Sequence, residues 1–234
     1  MHDKLKAKTK LTRRDILQAC GPLSADPATD ARLRRIEADF ADGFAFLDTV
    51  HRAVSIFGST ILPENDPYYQ DARRLANKLV TEGGFTVITG GGPGIMEAAN
   101  RGASEAGGVS VGLNIELRNN QPSNQYINRS ENFHYFFARK VALAFSARVY
   151  IFYPGGFGTL NEFTELVMLV QTEKIQPIPI ICVGSDFWNP IKKLMGELLK
   201  VKFGVIDDDD LSLFQIVDDH DKILQTANEA ARRT

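Results

Sequence analysis

Cysteine is almost missing from this 234-residue chain: only Cys20 and Cys182 occur, and Cys182 sits inside the apolar run PIICV. Two cysteines cannot staple a small fold or build a cysteine metal site, so a cytoplasmic, reducing compartment is expected. No apolar run approaches the roughly 20 residues needed to cross a bilayer. The opening MHDKLKAKTKLTRRD is basic, but the apolar segment of a secretory signal does not follow it; a solvated arm is expected. Charge of one sign is also lacking. Lys and Arg number 27 against 29 Asp and Glu, a net charge of −2. Nothing overall therefore draws the chain to nucleic acid or an anionic membrane, and neither is an expected partner. Low-complexity tracts are absent, and 44% apolar with 24% charged residues is ordinary globular composition.

Residues 1–28 carry the breakers Gly21-Pro22 and Pro27. From Thr29 to His51, Leu33, Ile36, Phe40, Phe44 and Leu47 recur at helical spacing behind a Thr29 or Asp30 cap. The reading for 1–51 is a flexible basic arm and an amphipathic helix, the helix serving as a domain cover or an oligomer contact. From residue 52 to 234 the text repeats strand, glycine turn, helix. Strands are expected at 53–57, 85–89, 109–115, 149–152 and 178–183, with a short edge strand at 214–217. Helices are expected at 67–82, 95–106, 133–147, 160–170 and 190–199, and in the tail. Apolar strands alternating with helices imply an α/β fold: a doubly wound, Rossmann-like parallel sheet with helices on both faces. Ligands in such sheets bind outside the carboxyl ends of the strands. Gly58-Ser59, Gly90–Gly94 and Gly155–Gly158 all fall there, so one crevice lined by all three is expected.

Glycines ahead of a helix let backbone N–H groups approach an anion, and the helix end adds partial positive charge. The P-loop pattern fails because neither glycine cluster supplies its Lys. The dinucleotide pattern G-x-G-x-x-G also fails: its third glycine falls on Ile95 counted from Gly90, and on Asn161 counted from Gly156. A mononucleotide or sugar-phosphate site survives. Thr159-Leu-Asn-Glu162 reads equally well as a T-x-x-E capping box or as the seat of a catalytic Glu162. Glu165 lies one turn further on the same face, and two carboxylates beside an anion call for a cation. Arg139, in FHYFFARKVALAF, is the candidate; the plain alternative is a surface pair, Arg139 and Lys140, with buried stems. The aromatics of that run read as core. Asp207–Asp210 reads as a solvated turn rather than a metal site, and His134 as a packing residue. His51 and His220 show no constellation.

The pieces together are more specific. PGGFGTLNE (Pro154–Glu162) fits P-G-G-x-G-T-x-x-E, and with FFARK (Phe136–Lys140) and GGGPGIMEAANRGA (Gly90–Ala103) it resembles the LOG ("Lonely Guy") family over about residues 53–199. These are cytokinin riboside 5′-monophosphate phosphoribohydrolases, often labelled lysine decarboxylases. The N-terminal helix and the FFARK form are similar to the longer subgroup. The resemblance implies hydrolysis of the N-glycosidic bond of AMP or an N6-substituted AMP, without a cofactor or metal, in a homo-oligomer of at least two copies. It places the catalytic pair on Arg139 and Glu162. Gly155, Gly156, Gly158 and Thr159 would hold the 5′-phosphate, with Ser59, Gly91 and Gly92 bordering the nucleotide and Glu165 near the ribose. A pyridoxal phosphate decarboxylase would need a Schiff-base lysine, and the one near the motifs, Lys140, reads as a neighbour of Arg139. The rival from another class is a non-catalytic nucleotide or cofactor carrier on the same fold.

Overall fold

The computed structural model describes residues 23–116 and 123–232. The expected basic arm, with Cys20, lies mostly outside the described residues. The contacts divide the chain inside its first helix, α1 (Pro27–Leu47), into Met1–Ala38 and Asp39–Thr234. Everything below concerns the second unit.

Its elements in order are β1 (Ala53–Phe57), α2 (Pro67–Thr81), β2 (Thr86–Thr89), α3 (Ile95–Glu105), β3 (Ser110–Ile115), β4 (Arg129–Phe133), α4 (Phe136–Ala144) and β5 (Val149–Phe152). There follow α5 (Phe157–Gln171), β6 (Ile180–Cys182), α6 (Ser185–Leu194), a π-helical continuation over Met195–Lys202, α7 (Asp208–Ser212), β7 (Gln215–Ile216) and α8 (His220–Arg232). The seven strands form one parallel sheet in the order β4-β3-β2-β1-β5-β6-β7. The chain adds strands outward on one side of β1 as far as β4 and then on the other from β5, so the crevice of a doubly wound sheet falls between β1 and β5.

Period two along the strands builds a core on each face. In β1, Val54 and Ile56 join Leu75, Leu79, Ile95 and Ile223 on one side. Ala53 and Phe57 join Leu143, Phe163 and Trp188 on the other. Ser55 points to that second face but is satisfied by Ser146 Oγ at 2.7 Å. Trp188, the chain's single tryptophan, is fully buried and donates its indole N–H to Phe152 O at 3.1 Å. That bond ties α6 to the end of β5, just before the glycine motif.

Three local expectations are corrected. Phe133 ends a strand rather than opening a helix. β4, with the sequence RSENF, is an edge strand whose first four residues are polar and which buries only Phe133, so a search for apolar strands passes over it. The helix expected over 190–199 starts at Ser185, with Pro190 inside its length. The capping box at Thr159 does not form. α5 begins three residues earlier, with Gly156 at the cap position and no side-chain cap bond.

Candidate functional site

The loops after β1, β2 and β5 are laced together by backbone bonds. Ser59 N–H donates to Pro154 O at 3.0 Å, and Ser59 O accepts from Ile95 N–H at 2.9 Å. The short turn Gly58-Ser59 thus holds the start of α3 and the Pro154-Gly155 segment side by side. A Cβ on Gly155 would collide with the buried Thr159 side chain, so the two are packed together under the first turn of α5. A Cβ on Gly156 or Gly158 meets nothing among the described residues within 4 Å. Open space above those two residues, at the positive end of a 15-residue helix, has the geometry and the partial charge that an anion could use.

Arg139 comes from the first turn of α4 and is 9% exposed. Its Nε–H donates to Leu113 O at 2.7 Å and its Nη2 to Gly90 O at 2.9 Å. A carbonyl within β3 and one just past the end of β2 therefore fix the guanidinium, and no carboxylate among the described residues lies within ion-pair distance of it. Burial lowers its pKa from the ordinary arginine value, and the charge of Glu162 works against that fall. It stays cationic at any working pH. With Gly91, Gly92, Met96, Asn114 and Phe136, Arg139 lines a cavity of about 180 Å³. A larger hollow of about 530 Å³ lies at the other end of the strands, around Asp48, His51 and Arg148, and holds none of the expected site residues.

Glu162 lies one and a half turns into α5, too deep to act as its cap. Its carboxyl makes no hydrogen bond or ion pair among the described residues. Burial pushes its pKa up to about 7, against the opposing pull of Arg139 and then Lys140 and with a small push from Glu165. Glu165 is ion-paired to Lys140 Nζ at 2.8 Å, and the same ammonium donates to Asn161 Oδ1 at 2.8 Å. Lys140 thereby clamps α4, which carries Arg139, to α5, which carries Glu162. The structure brings Arg139 and Glu162 close enough for their charges to interact, with the glycine seat at the start of the same helix.

Several residues of the site carry no motif. Asn124 donates from Nδ2 to Gly92 O at 3.1 Å and Asn100 Oδ1 at 2.9 Å, while its backbone N–H bonds Gly91 O at 3.0 Å. Thr89 Oγ1 in turn donates to Asn100 Oδ1 at 2.6 Å and accepts from Gly91 N–H at 3.0 Å. This buried network fixes the Gly90–Gly92 turn. Asn100 lies inside a quoted motif, but Asn124 sits in a loop that sequence spacing does not reach. His134 is not core: it bridges Asp39 and Glu116 with 42% of its side chain exposed. His220 does belong to a constellation, sharing Asp71 with the buried Tyr153 at 3.0 and 2.8 Å.

Solved structures share this fold. TM1055, a structural-genomics target, is 21% identical over 76% of this chain and 98% of its own, with a TM-score of 0.58. A molybdenum cofactor carrier protein from Chlamydomonas reinhardtii is 20% identical over 77% of this chain and 98% of its own, at 0.55. A molybdenum cofactor binding protein from Rippkaea orientalis is 19% identical over 76% and 95%, also at 0.55. At these identities the likeness establishes the α/β fold. No curated protein matches the sequence significantly. A family model described as "possible lysine decarboxylase", the LOG-type family, matches residues 96–227 and so takes in Arg139 and the whole segment from Pro154 to Glu165. With more than half of its length matched, the chain belongs to that family.

Proposed function

We propose that this chain hydrolyses the N-glycosidic bond of a nucleoside 5′-monophosphate, AMP or an N6-substituted AMP, to free base and ribose 5-phosphate, as in cytokinin activation. The observation that carries the reading is Glu162: a carboxyl without a hydrogen-bonding partner among the described residues, tuned to about pH 7, beside a buried arginine and an anion seat. A helix cap needs none of these properties, and pKa tuning toward the working pH marks acid–base chemistry.

The 5′-phosphate sits over Gly155, Gly156, Gly158 and Thr159, and Ser59, Gly91 and Gly92 border the nucleotide. Glu165, already held by Lys140, reaches ribose hydroxyls only at the edge of that pair. The C1′–N bond breaks with its electron pair leaving on the base, through an oxocarbenium-like state that the Glu162 carboxylate stabilises. Water adds to C1′, and its proton passes to Glu162 and from there to the departing base nitrogen. Arg139 offsets the acid charge and fixes the sugar-phosphate. Lys140 is committed as an ammonium between Glu165 and Asn161, which does not suit the Schiff-base lysine that the family's descriptive name suggests. The family resemblance adds a homo-oligomer, and the exposed Phe136, Phe137 and Phe145 along α4 suit a contact between copies.

A second reading has its own support. Two structural neighbours are described as molybdenum cofactor carrier or binding proteins, which suits a non-catalytic nucleotide or cofactor carrier on the same fold. The test is release of free base, followed by chromatography, from AMP and isopentenyladenosine monophosphate, with adenosine as control. Release from the monophosphates alone, abolished in a folded Glu162→Gln variant, is the expected result. Binding without release transfers the reading to the carrier.

A further inference from the structure

We propose that Asp39, on the N-terminal helix, is a positioning residue for Arg139. The inference rests on the reading of Arg139 as part of the site and gives the helix ahead of the sheet a task in it. α4 is only nine residues long, and its N-cap position, Tyr135, makes no side-chain cap bond of its own. An uncapped helix start leaves backbone N–H groups without partners, and a frayed first turn would carry Arg139 with it.

Asp39 anchors that start from another element, by holding the two residues that lead into it. Its side chain is 4% exposed, and Oδ2 accepts from both His134 N–H and Tyr135 N–H at 2.9 Å. Oδ1 faces His134 Nδ1 at 3.1 Å, and His134 Nε2 faces Glu116 Oε2 at 3.1 Å. The same residue then passes the connection on, because the Tyr135 carbonyl, in the next peptide group, accepts from Arg139 N–H at 3.1 Å. One residue, Tyr135, separates the carboxylate of Asp39 from the backbone of Arg139.

The approach is built rather than incidental. Gly43, one turn beyond Asp39, lies so close to β4 that a Cβ there would come within 2.7 Å of the Phe133 ring. Phe40 packs against Phe137 with ring centroids 6.2 Å apart, and Phe44 against Phe145 at 6.0 Å. Asp39, Phe40, Gly43 and Phe44 thus run along α4 from its start to its end, with a carboxylate at the positive helix terminus, where it is favourable. Arg139 needs that rigidity, since its guanidinium must meet Leu113 O and Gly90 O together.

The test uses the full chain with Asp39→Ala, Asp39→Asn and, as a remote cap of the same chemistry, Asp207→Ala, which removes the capping box of α7. Two quantities are read: amide hydrogen exchange over residues 134–145 by mass spectrometry, and base release from AMP. In Asp39→Ala, exchange of that segment rises on the order of tenfold, the size of a lost cap. The kcat falls on the order of a hundredfold while KM moves much less, as misplacement of a catalytic group predicts. Asp39→Asn keeps one oxygen for both N–H groups and restores most of each quantity, and Asp207→Ala changes neither. Unchanged exchange over 134–145 in Asp39→Ala overturns the proposal. So does equal loss in the Ala and Asn variants spread across the sheet, the mark of a general folding contact. If the wild-type chain releases no base, the phosphoribohydrolase reading falls by itself, and exchange with the dissociation constant of AMP still decides the role of Asp39.

Discussion

After β2 the chain turns through Gly90–Gly94, and after β5 through Gly155–Gly158, yet a methyl group added to the two turns meets very different surroundings. In the first, Gly91 and Gly94 have φ of +76° and +69°. A Cβ on Gly90 would overlap the Arg139 guanidinium, and one on Gly94 the backbone oxygen of Ser59. In the second, only Gly155 is packed, while Gly156 and Gly158 look into open space. The first turn is glycine-rich because the protein itself fills it. The second is glycine-rich where the protein has no packing need for glycine, which is what a docking ligand requires.

The largest expected effect tests the first half of that contrast. Gly94→Ala forces an L residue into a backbone region it avoids and drives its methyl onto a carbonyl that cannot step aside. The loss is about 3 kcal/mol or more of unfolding free energy, read by urea denaturation. A change within experimental error would show that the turn can relax and would remove the distinction between the two loops.

Glu162 gives the next effect. Its pKa rises from 4.5 in an ordinary carboxyl to about 7 in the fold. Between those values the folded chain keeps a proton that the unfolded chain releases, so stability falls as pH rises from 4.5 toward 7 and then levels. Glu162→Gln has no such proton, so its stability relative to wild type climbs through the same window, by about 3 kcal/mol. Denaturation of both proteins at pH 4.5 and pH 8 checks this. Equal differences at the two pH values would mean that the carboxyl is solvated and untuned, and the catalytic argument would lose its base.

Much of this was legible from residue order because the fold writes itself in a repeated signal. Apolar runs such as Ala53–Phe57 and Val149–Phe152, each followed by glycine and a helix, specify buried parallel strands and put the glycines at their carboxyl ends. Charge balance made Arg139 a candidate cation beside Glu162, but their pairing as a catalytic couple came only with the family motif, since 23 positions separate them and no local period connects them. The helix start at Phe157 was hidden because T-x-x-E is the right pattern for a cap, and only the backbone shows that Gly156 takes the cap position instead. β4 was hidden by its polar edge. Asp39 and Asn124 were hidden more deeply: each acts on backbone groups far along the chain, and a partner that is a peptide N–H or C=O leaves no trace in side-chain spacing.

The smallest effect on the fold sharpens the comparison most. Gly158 is the second residue of α5, where its missing side chain serves no packing purpose. Replacing it with Ala removes backbone freedom from the unfolded chain and favours the helix, a gain of a few tenths to about 1 kcal/mol. The same methyl intrudes where the phosphate is expected to lie, so AMP affinity falls on the order of tenfold while any weak affinity for adenosine holds. Calorimetric titration of both ligands, alongside thermal melts, separates the two quantities. A more stable variant that binds AMP as well as wild type would place the phosphate elsewhere. A less stable one would show that the open space above Gly158 belongs to the fold, so that both glycine turns serve packing alone.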